Sequence, residues 1–386
     1  MIAVALLVAM SCVALVLDQL WINAAQIELT TSAETAALAA ARVLAGDHLL
    51  SGALDDDAVL ARARERAQYI AGQNRAAGTP VELNADANRD IRFGRLVVHQ
   101  YSGRTRFVAT DRSPNTVAVI AHKTRSRNNP VALFLRGLTH VGAADVIRTA
   151  QATLDNRLIG LRPFSGSPVP ALPIAILKSH SDAARTDTWD TQIEGRAGQD
   201  QFTFDAETGL VHGGADGIPE IILTAATRRD RSIQSNVRLV DLGTELRIGG
   251  LMRQIAFGWN TDDLASYGGQ LSIHSNAMVS DSSDTFPESI RDRLASMTGQ
   301  CRICLLYTER ERTGGGDQSG ASDIVVAGVA AGRVMSVRAQ PNDTCEIVFQ
   351  PGVLTTRTAV VFDRGSNSGN DEPARNRYVY NMRLTR

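Results

Sequence analysis

Residues 1–21 read MIAVALLVAMSCVALVLDQLW, with no charge before Asp18. With Leu20, Trp21 and Ile22 the apolar stretch reaches about 22 residues. As a helix it rises roughly 30 Å, the thickness of a bilayer's hydrocarbon core. The chain continues as AAQIELTTSAETAALAAARVL (24–44), rich in helix formers and free of Gly and Pro until Gly46. The pattern predicts one long helix, with an apolar half in the membrane and an outer half that carries the rest of the protein.

Two other readings compete. A cleaved secretory signal would want a basic n-region, a shorter apolar core and a small-residue cleavage site. Ala24-Ala25 would serve as the last, but no Lys or Arg precedes Arg42. A buried core helix is the third reading, and neither Cys12 nor Asp18 excludes it. Basic residues near the ends of a span set its orientation, and their absence before Arg42 leaves the orientation open at the level of sequence.

In the outer half Ala33, Ala36, Ala37, Ala40, Ala41 and Leu44 recur at three- and four-residue spacing. Small residues let helix backbones approach closely. The stripe therefore packs either on the protein's own globular part or on the helix of a neighbouring subunit.

The run ALVLDQLW followed by QIELTTSAETAALAAARVL resembles the N-terminal region of TadG-like proteins of the Flp/Tad pilus-assembly system. That family shows an apolar span ending in an Ala-Val-Asp-like step, a nearby aromatic, and a Thr/Glu-Leu-x-x-Ala-Ala-Asp-Ala-Ala-Ala-Leu-Ala-Ala segment. Asp18, Trp21, Glu28, Leu29, Ala33, Ala36, Ala37, Leu38, Ala39 and Ala40 match it, and Glu34 stands where an acidic residue is usual. Family members usually carry a short basic arm ahead of the span, whereas this sequence begins inside the apolar run. AGQNRAAGTPVEL echoes an x-N-x-x-G-x-P-V-x-L segment of the family. DGIPEIILT, LMRQIAFGWNTDDL and VVAGVAAGRVMSVRAQPNDTCEIVFQPG look similar to the C-terminal half of its longer members. The resemblance implies a single-pass membrane protein with an extracytoplasmic bulk, a structural role in pilus assembly, and no enzymatic activity or cofactor. It also implies partner subunits that dock on the N-terminal helix through Ala33, Ala36, Ala37, Ala40 and Leu44.

Composition is that of a folded protein. In 386 residues, 44% are hydrophobic and 21% charged, and the net charge of -1 carries no electrostatic footprint for nucleic acid or anionic lipid. The expected fold class is α+β: the long membrane-spanning and amphipathic helix, then a mixed α+β and mostly antiparallel β region. The expected division is an N-terminal helix over 1–50, an α+β domain over 51–162, a Pro-rich linker over 163–175, and a β-rich domain over 176–386.

Within that frame DDDAVLARARERAQYIAGQN (55–74) predicts a second helix, with Asp55 to Asp57 at its start and Leu60, Ala63, Ala67, Ile70 and Ala71 as its apolar face. IRFGRLVVHQ, TRFVAT, NTVAVIAHK and ADVIRTAQATL read as strands and NNPVALFLRGLTH as a short apolar helix. PFSGSPVPALP (163–173) holds four of the 12 prolines. Beyond it QFTFD, PEIILTA, VRLVDLG, GQLSIHS, CLLYTE, DIVVAGV, RVMSVRA, CEIVFQ and TAVVFD are strand candidates. LRIGGLMRQIAFG and DTFPESIRDRLASMTG read as helices, the second opened by a Thr285–Glu288 capping box, with Ile290, Leu294 and Met297 as its buried stripe.

Motifs for chemistry are mostly missing. There is no G-x-x-x-x-G-K-[ST], H-E-x-x-H or G-x-S-x-G. The seven histidines are scattered singly. Cys301 and Cys304 have C-x-x-C spacing without a second pair, and in a strand they point to opposite faces. Two outcomes stay open for the thiols: a disulfide from Cys345 to Cys301 or Cys304 if the region is extracytoplasmic, or unpaired buried thiols. Asp86, Asn88 and Asp90 alternate like the start of a calcium loop, but Ile91 and Val97 stand where that loop needs Gly and Glu. A solvated turn is the expectation there. Asp281, Ser283 and Thr285 fit the D-x-S-x-T metal-adhesion pattern, against the capping role of Thr285. No metal site is assigned. A membrane-anchored binding or sensor domain unrelated to pili is the alternative function.

Overall fold

The computed structural model describes residues 2–52, 56–87, 89–98, 105–134, 142–228, 233–273, 278–279, 281–309, 324–362 and 374–385. The chain divides into two compact units. The first comprises Met1–Leu44, Asp55–Leu154 and Met382–Arg386, and the second Ala45–Leu54 and Asp155–Asn381.

In the first unit, α1 runs unbroken over Ile2–Leu44, 43 residues, a rod of about 65 Å at 1.5 Å per residue. It packs on α2 (Asp56–Gln73) and on a strand of an antiparallel sheet. That sheet contains β1 (Ile91–Val98), β2 (Thr105–Ala109), β3 (Thr116–Lys123) and β4 (Val146–Asp155). β1 lies between β2 and β3, β4 lies beyond β3, and the chain's last residues add an edge next to β4. The period-two alternation of β3 places Val117, Val119, Ala121 and Lys123 on one face, all buried, and α1 packs on this strand. Arg64 of α2 lies over the ring of Phe93, 4.8 Å from its centroid.

The alanine stripe is internal to this unit. Ala36, Ala37, Ala40 and Ala41 of α1 and Ala63, Ala67 and Ala71 of α2 are all fully buried, as are Ala33 and Leu44 nearly so. The chain's own α2 and β3 occupy the face expected to dock on a partner. Partner docking through Ala33, Ala36, Ala37, Ala40 and Leu44 is thus not the arrangement seen, because methyl-sized side chains already let two of the chain's own helices close on each other.

The short helix expected over 128–140 is not seen in its described part. Val131–Ala132 pairs antiparallel with Ala143–Ala144, and residues 135–140 lie outside the described residues.

The second unit is built on a larger sheet. Its strands are β5 (Leu158–Leu161), which belongs to a small side sheet, then β6 (Ala171–Leu177), β7 (Ile221–Ala226) and β8 (Val237–Val240). Helices α3 (Ile248–Phe257) and α4 (Glu288–Ala295) precede β9 (Cys301–Glu309), β10 (Ile324–Ala339) and β11 (Thr344–Pro351). The spatial order is β7-β11-β10-β9-β6-β8, closed by Ser282–Ser283. All neighbours are antiparallel except β6 and β9, which run parallel. α3 packs on β6 and α4 on β10, and the two helices touch.

Four sequence expectations change here. The Pro-rich stretch 163–175 is not a free linker, because it runs into β6, of which every residue is buried. ALPIAIL is a continuous apolar run, the signature of a strand covered on both faces. Pro173, which has no N–H to donate, sits where the β6–β9 register shifts between Ala171 and Ala175. DIVVAGV and RVMSVRA form one 16-residue strand, since β10 passes straight through Ala330, Ala331 and Gly332. The expected capping box is absent: α4 starts after Pro287 with no side-chain cap, and the Thr285 hydroxyl donates to Asp284 Oδ1 at 3.4 Å instead. The stripe Ile290, Leu294 and Met297 is buried as expected. Finally, β12 (Val379–Thr385) is an unexpected last strand, whose Val379 and Tyr380 pair in parallel with Leu354 and Thr355.

The boundary differs too. The N-terminal segment ends at Leu44 rather than 50, because residues 45–54 belong to the second unit. There Asp47 pairs with Arg333 (2.7 Å) and receives the Val353 N–H (2.7 Å).

Candidate functional site

α1 is, among the described residues, the one helix long and apolar enough to cross a membrane. Its N-terminal half exposes Met10, Val13, Leu15, Val16, Leu17 and Leu20. At about 100° per residue these side chains span about 220° of the helix circumference. A seam for one partner helix would be a narrower stripe. Among residues 9–20 only Ala14 and Asp18 are buried.

Below this collar the helix is strapped to its own unit. Asp18, 5% exposed, accepts the Phe134 N–H at 2.9 Å through Oδ1. The indole N–H of Trp21 donates to Ala132 O at 3.1 Å, and the Trp21 and Phe134 rings stack at 5.1 Å, tilted by 55°. Three turns further on, Glu28 Oε2 accepts the N–H of Ala77, a residue held in the left-handed conformation at φ 50°. Asn74 donates to Thr35 Oγ1 at 3.3 Å. Most residues quoted above for the family resemblance, Asp18, Trp21, Glu28, Leu29, Ala33, Ala36, Ala37 and Ala40, therefore fall on one side of α1, and Leu38 lies outside that face. Asp18 and Trp21 hold the 132–134 loop, Glu28 holds the turn after α2, and Leu29, Ala33, Ala36, Ala37 and Ala40 are buried, while Ala39 is half-buried. In this chain they tie the helix to the rest of its own unit.

The chemical motifs resolve as structure. Asp90 is buried, receives the Asn84 N–H at 2.8 Å and pairs with Arg127 through both oxygens, while Asn84 Oδ1 receives the Asp86 N–H. Asn88 lies outside the described residues. His122, 3.6 Å from Asp90, has its pKa lowered by burial, against the pull of Asp90. Ser282 and Ser283 pair antiparallel with β8, and Ser283 Oγ receives the Thr285 N–H at 3.2 Å, a local turn bond. Among the described residues no three His, Cys, Asp or Glu side chains converge in a way that holds a metal ion. His99, His140 and His274 lie outside the described residues.

Register excludes the expected disulfide. Cys345 stands opposite Ala339 of β10, whereas Cys301 stands opposite Arg333 and Cys304 opposite Ala330. β11 and β9 flank β10 on opposite sides, about 10 Å apart, and the offset along β10 adds roughly 20 Å or more. A bridge needs Cα atoms within about 7 Å. Burial also raises the thiol pKa values, that of Cys301 to about 12 and that of Cys304 further. We therefore expect the folded protein to keep Cys304 and Cys345 unreactive toward a thiol reagent and to label them only on unfolding. Intact mass without reductant should show no loss of two hydrogens, and such a loss would refute the register.

A polar cluster sits where the parallel strands β6 and β9 end, a position at which open sheets form crevices. His180 Nε2 lies 3.4 Å from Glu309 and Arg238 3.9 Å from the same carboxylate. The Arg238 guanidinium lies over the Tyr307 ring, 5.8 Å from its centroid. Arg185 makes two bonds of 2.9 Å to Asp187 and donates to Ser235 O at 3.3 Å. Burial raises the pKa of Asp190, opposed by nearby Lys178. The cluster matches its cations to carboxylates and binds loops together. It offers an acid–base pair, His180 and Glu309, and among the described residues no nucleophile is bonded to that pair. Sequence reading had no access to it, because its members are scattered from Lys178 to Glu309 and meet only through the parallel pairing.

Comparison with protein-family models, with curated proteins and with solved structures finds no match to this chain.

Proposed function

We propose that this protein is a single-pass, membrane-anchored structural component with its globular bulk outside the cytoplasm, and that it serves a Flp/Tad-type pilus as a minor pilin-like subunit or envelope scaffold. The observation that carries the anchoring is α1 itself. One unbroken helix exposes a collar of large apolar side chains over residues 10–20 and buries its alanine face in the first unit from residue 25 onward. Collar exposure over more than half the circumference suits lipid better than a single partner helix. The pilus role rests on the sequence resemblance at Asp18, Trp21, Glu28 and the alanines. Neighbouring subunits then meet surfaces other than the alanine face.

Val13→Lys with Val16→Lys tests the anchor. Each basic residue near a span's centre disfavours insertion by about 2.5–3.5 kcal/mol, so the double variant should leave the carbonate-resistant membrane fraction while the native chain stays in it. Equal extraction of both would end the anchored reading. For the pilus role, mild cross-linking in the native cell should capture the chain with Tad-system subunits, and their absence from the captured material would remove it.

The cluster around His180 and Glu309 favours a second reading, a membrane-anchored binding domain. Under it His180→Ala would leave stability unchanged and abolish recognition of a polar ligand.

A further inference from the structure

The 132–134 loop has no evident reason to present an aromatic ring to water. Phe134 is 65% exposed, yet its backbone N–H is fixed by Asp18 and its ring edge rests on Trp21. Together with Leu17, Leu20 and Ala24 these two rings line an open, almost wholly apolar recess of about 410 Å³ along α1. The recess is continuous with the collar, since Leu17 and Leu20 belong to both. Among the described residues its lining contains no charged side chain.

We infer that this recess is a second membrane contact: the Phe134 loop enters the upper acyl region of the bilayer beside Trp21, so that the first unit lies on the lipid surface instead of standing off on a free helix. The inference rests on the anchored reading of α1. Three features select lipid as the occupant. The exposed apolar surface wraps most of the helix upstream, which one protein partner would not cover. Trp21 and Phe134 form an aromatic pair at the end of the span, where such rings settle at the membrane–water boundary. The backbone bonds to Asp18 and Trp21 hold the loop at that level, so the ring needs no rearrangement to insert.

The test uses the full chain in phosphatidylcholine vesicles whose acyl chains carry bromine either near the headgroup or near the tail end. Three variants share Trp21→Phe: that change alone, with Phe134→Trp, and with Val13→Trp. Trp189 and Trp259 are buried in the second unit and supply a constant background. The expected result is bromine quenching of the Phe134→Trp probe, at least twofold above background and stronger for the shallow bromine, with Val13→Trp quenched more by the deep one. Quenching at position 13 with none at 134 would overturn the second contact and leave the anchor standing. No quenching at either position would overturn both. A probe at 134 shielded from bromine, with emission that varies with the protein-to-lipid ratio, would assign the recess to another copy of the chain and overturn the lipid contact.

Discussion

Gly258→Ala is expected to destabilise the second unit by more than about 3 kcal/mol. Gly258 ends α3 at φ 82° and ψ -167°, a region that only glycine enters without strain of about 1–3 kcal/mol. A Cβ built there would lie 2.0 Å from the carbonyl oxygen of Val169. That oxygen cannot retreat, because it accepts the Trp259 N–H at 3.0 Å while the Val169 N–H donates to Trp259 O at 2.8 Å. The glycine thus lets α3 stop and deliver Trp259, fully buried, into the core beside the start of β6. Strain and clash add, since no rotamer relieves a backbone contact. Gly249→Ala on the same helix is the control. It has φ in the ordinary range and nothing within 4 Å of its Cβ, so helix propensity alone should make it neutral or stabilising by up to about 1 kcal/mol. Denaturant unfolding of the detergent-solubilised chain, followed by Trp fluorescence, reads both. A Gly258→Ala protein as stable as the Gly249→Ala one would mean that α3 does not end in this turn.

The second large effect belongs to the first unit. Ala36→Leu with Ala40→Leu should destabilise it by about 2–6 kcal/mol, because each inserts three carbons into a seam already closed, and overpacking costs about 1–3 kcal/mol per site. Both residues are fully buried, as are Ala63, Ala67 and Ala71 of α2. Hydrogen exchange resolved to the α2 peptide, Asp56–Gln73, should rise sharply in dilute, monomeric protein. The outcome also separates the two uses of the stripe. If α2 stays protected in the monomer and only assembly with other subunits fails, the stripe is an intermolecular surface after all. The Phe134 loop would be a useful internal comparison, since its ties to Asp18 and Trp21 lie several turns away from the substituted seam.

Much of the architecture was legible from local pattern. The unbroken run from Ile2 to Leu44 shows as a helix because nothing in it breaks one, and the collar shows because its exposed residues are apolar one by one. The face Leu60, Ala63, Ala67 and Ala71, and the stripe Ile290, Leu294 and Met297, are buried where helical periodicity puts them. The strands of the first sheet carry their own alternation or β-branched runs. Each of these signals lives within one or two turns or one strand, so the residues that cause the structure are neighbours in sequence.

Other features depend on partners far along the chain, and only the tertiary structure decided them. Whether the alanine stripe met its own α2 or another molecule is a question of which closely approaching surface is nearest, and the same methyl groups serve both. β6 reads as a proline-rich linker until its parallel partner β9 supplies the hydrogen bonds that local sequence cannot show. Cys345 and Cys301 look like a pair in the sequence, yet strand order and register set them on opposite sides of β10. The same holds for His180 and Glu309, brought together by adjacent strand ends, and for Asp18 and Phe134, joined across 116 positions by one hydrogen bond. Sequence by itself determined the elements and the long apolar helix. Which elements pair, in what register and with which faces inward was decided by burial of the whole chain, because that free energy is shared among contacts no local window contains.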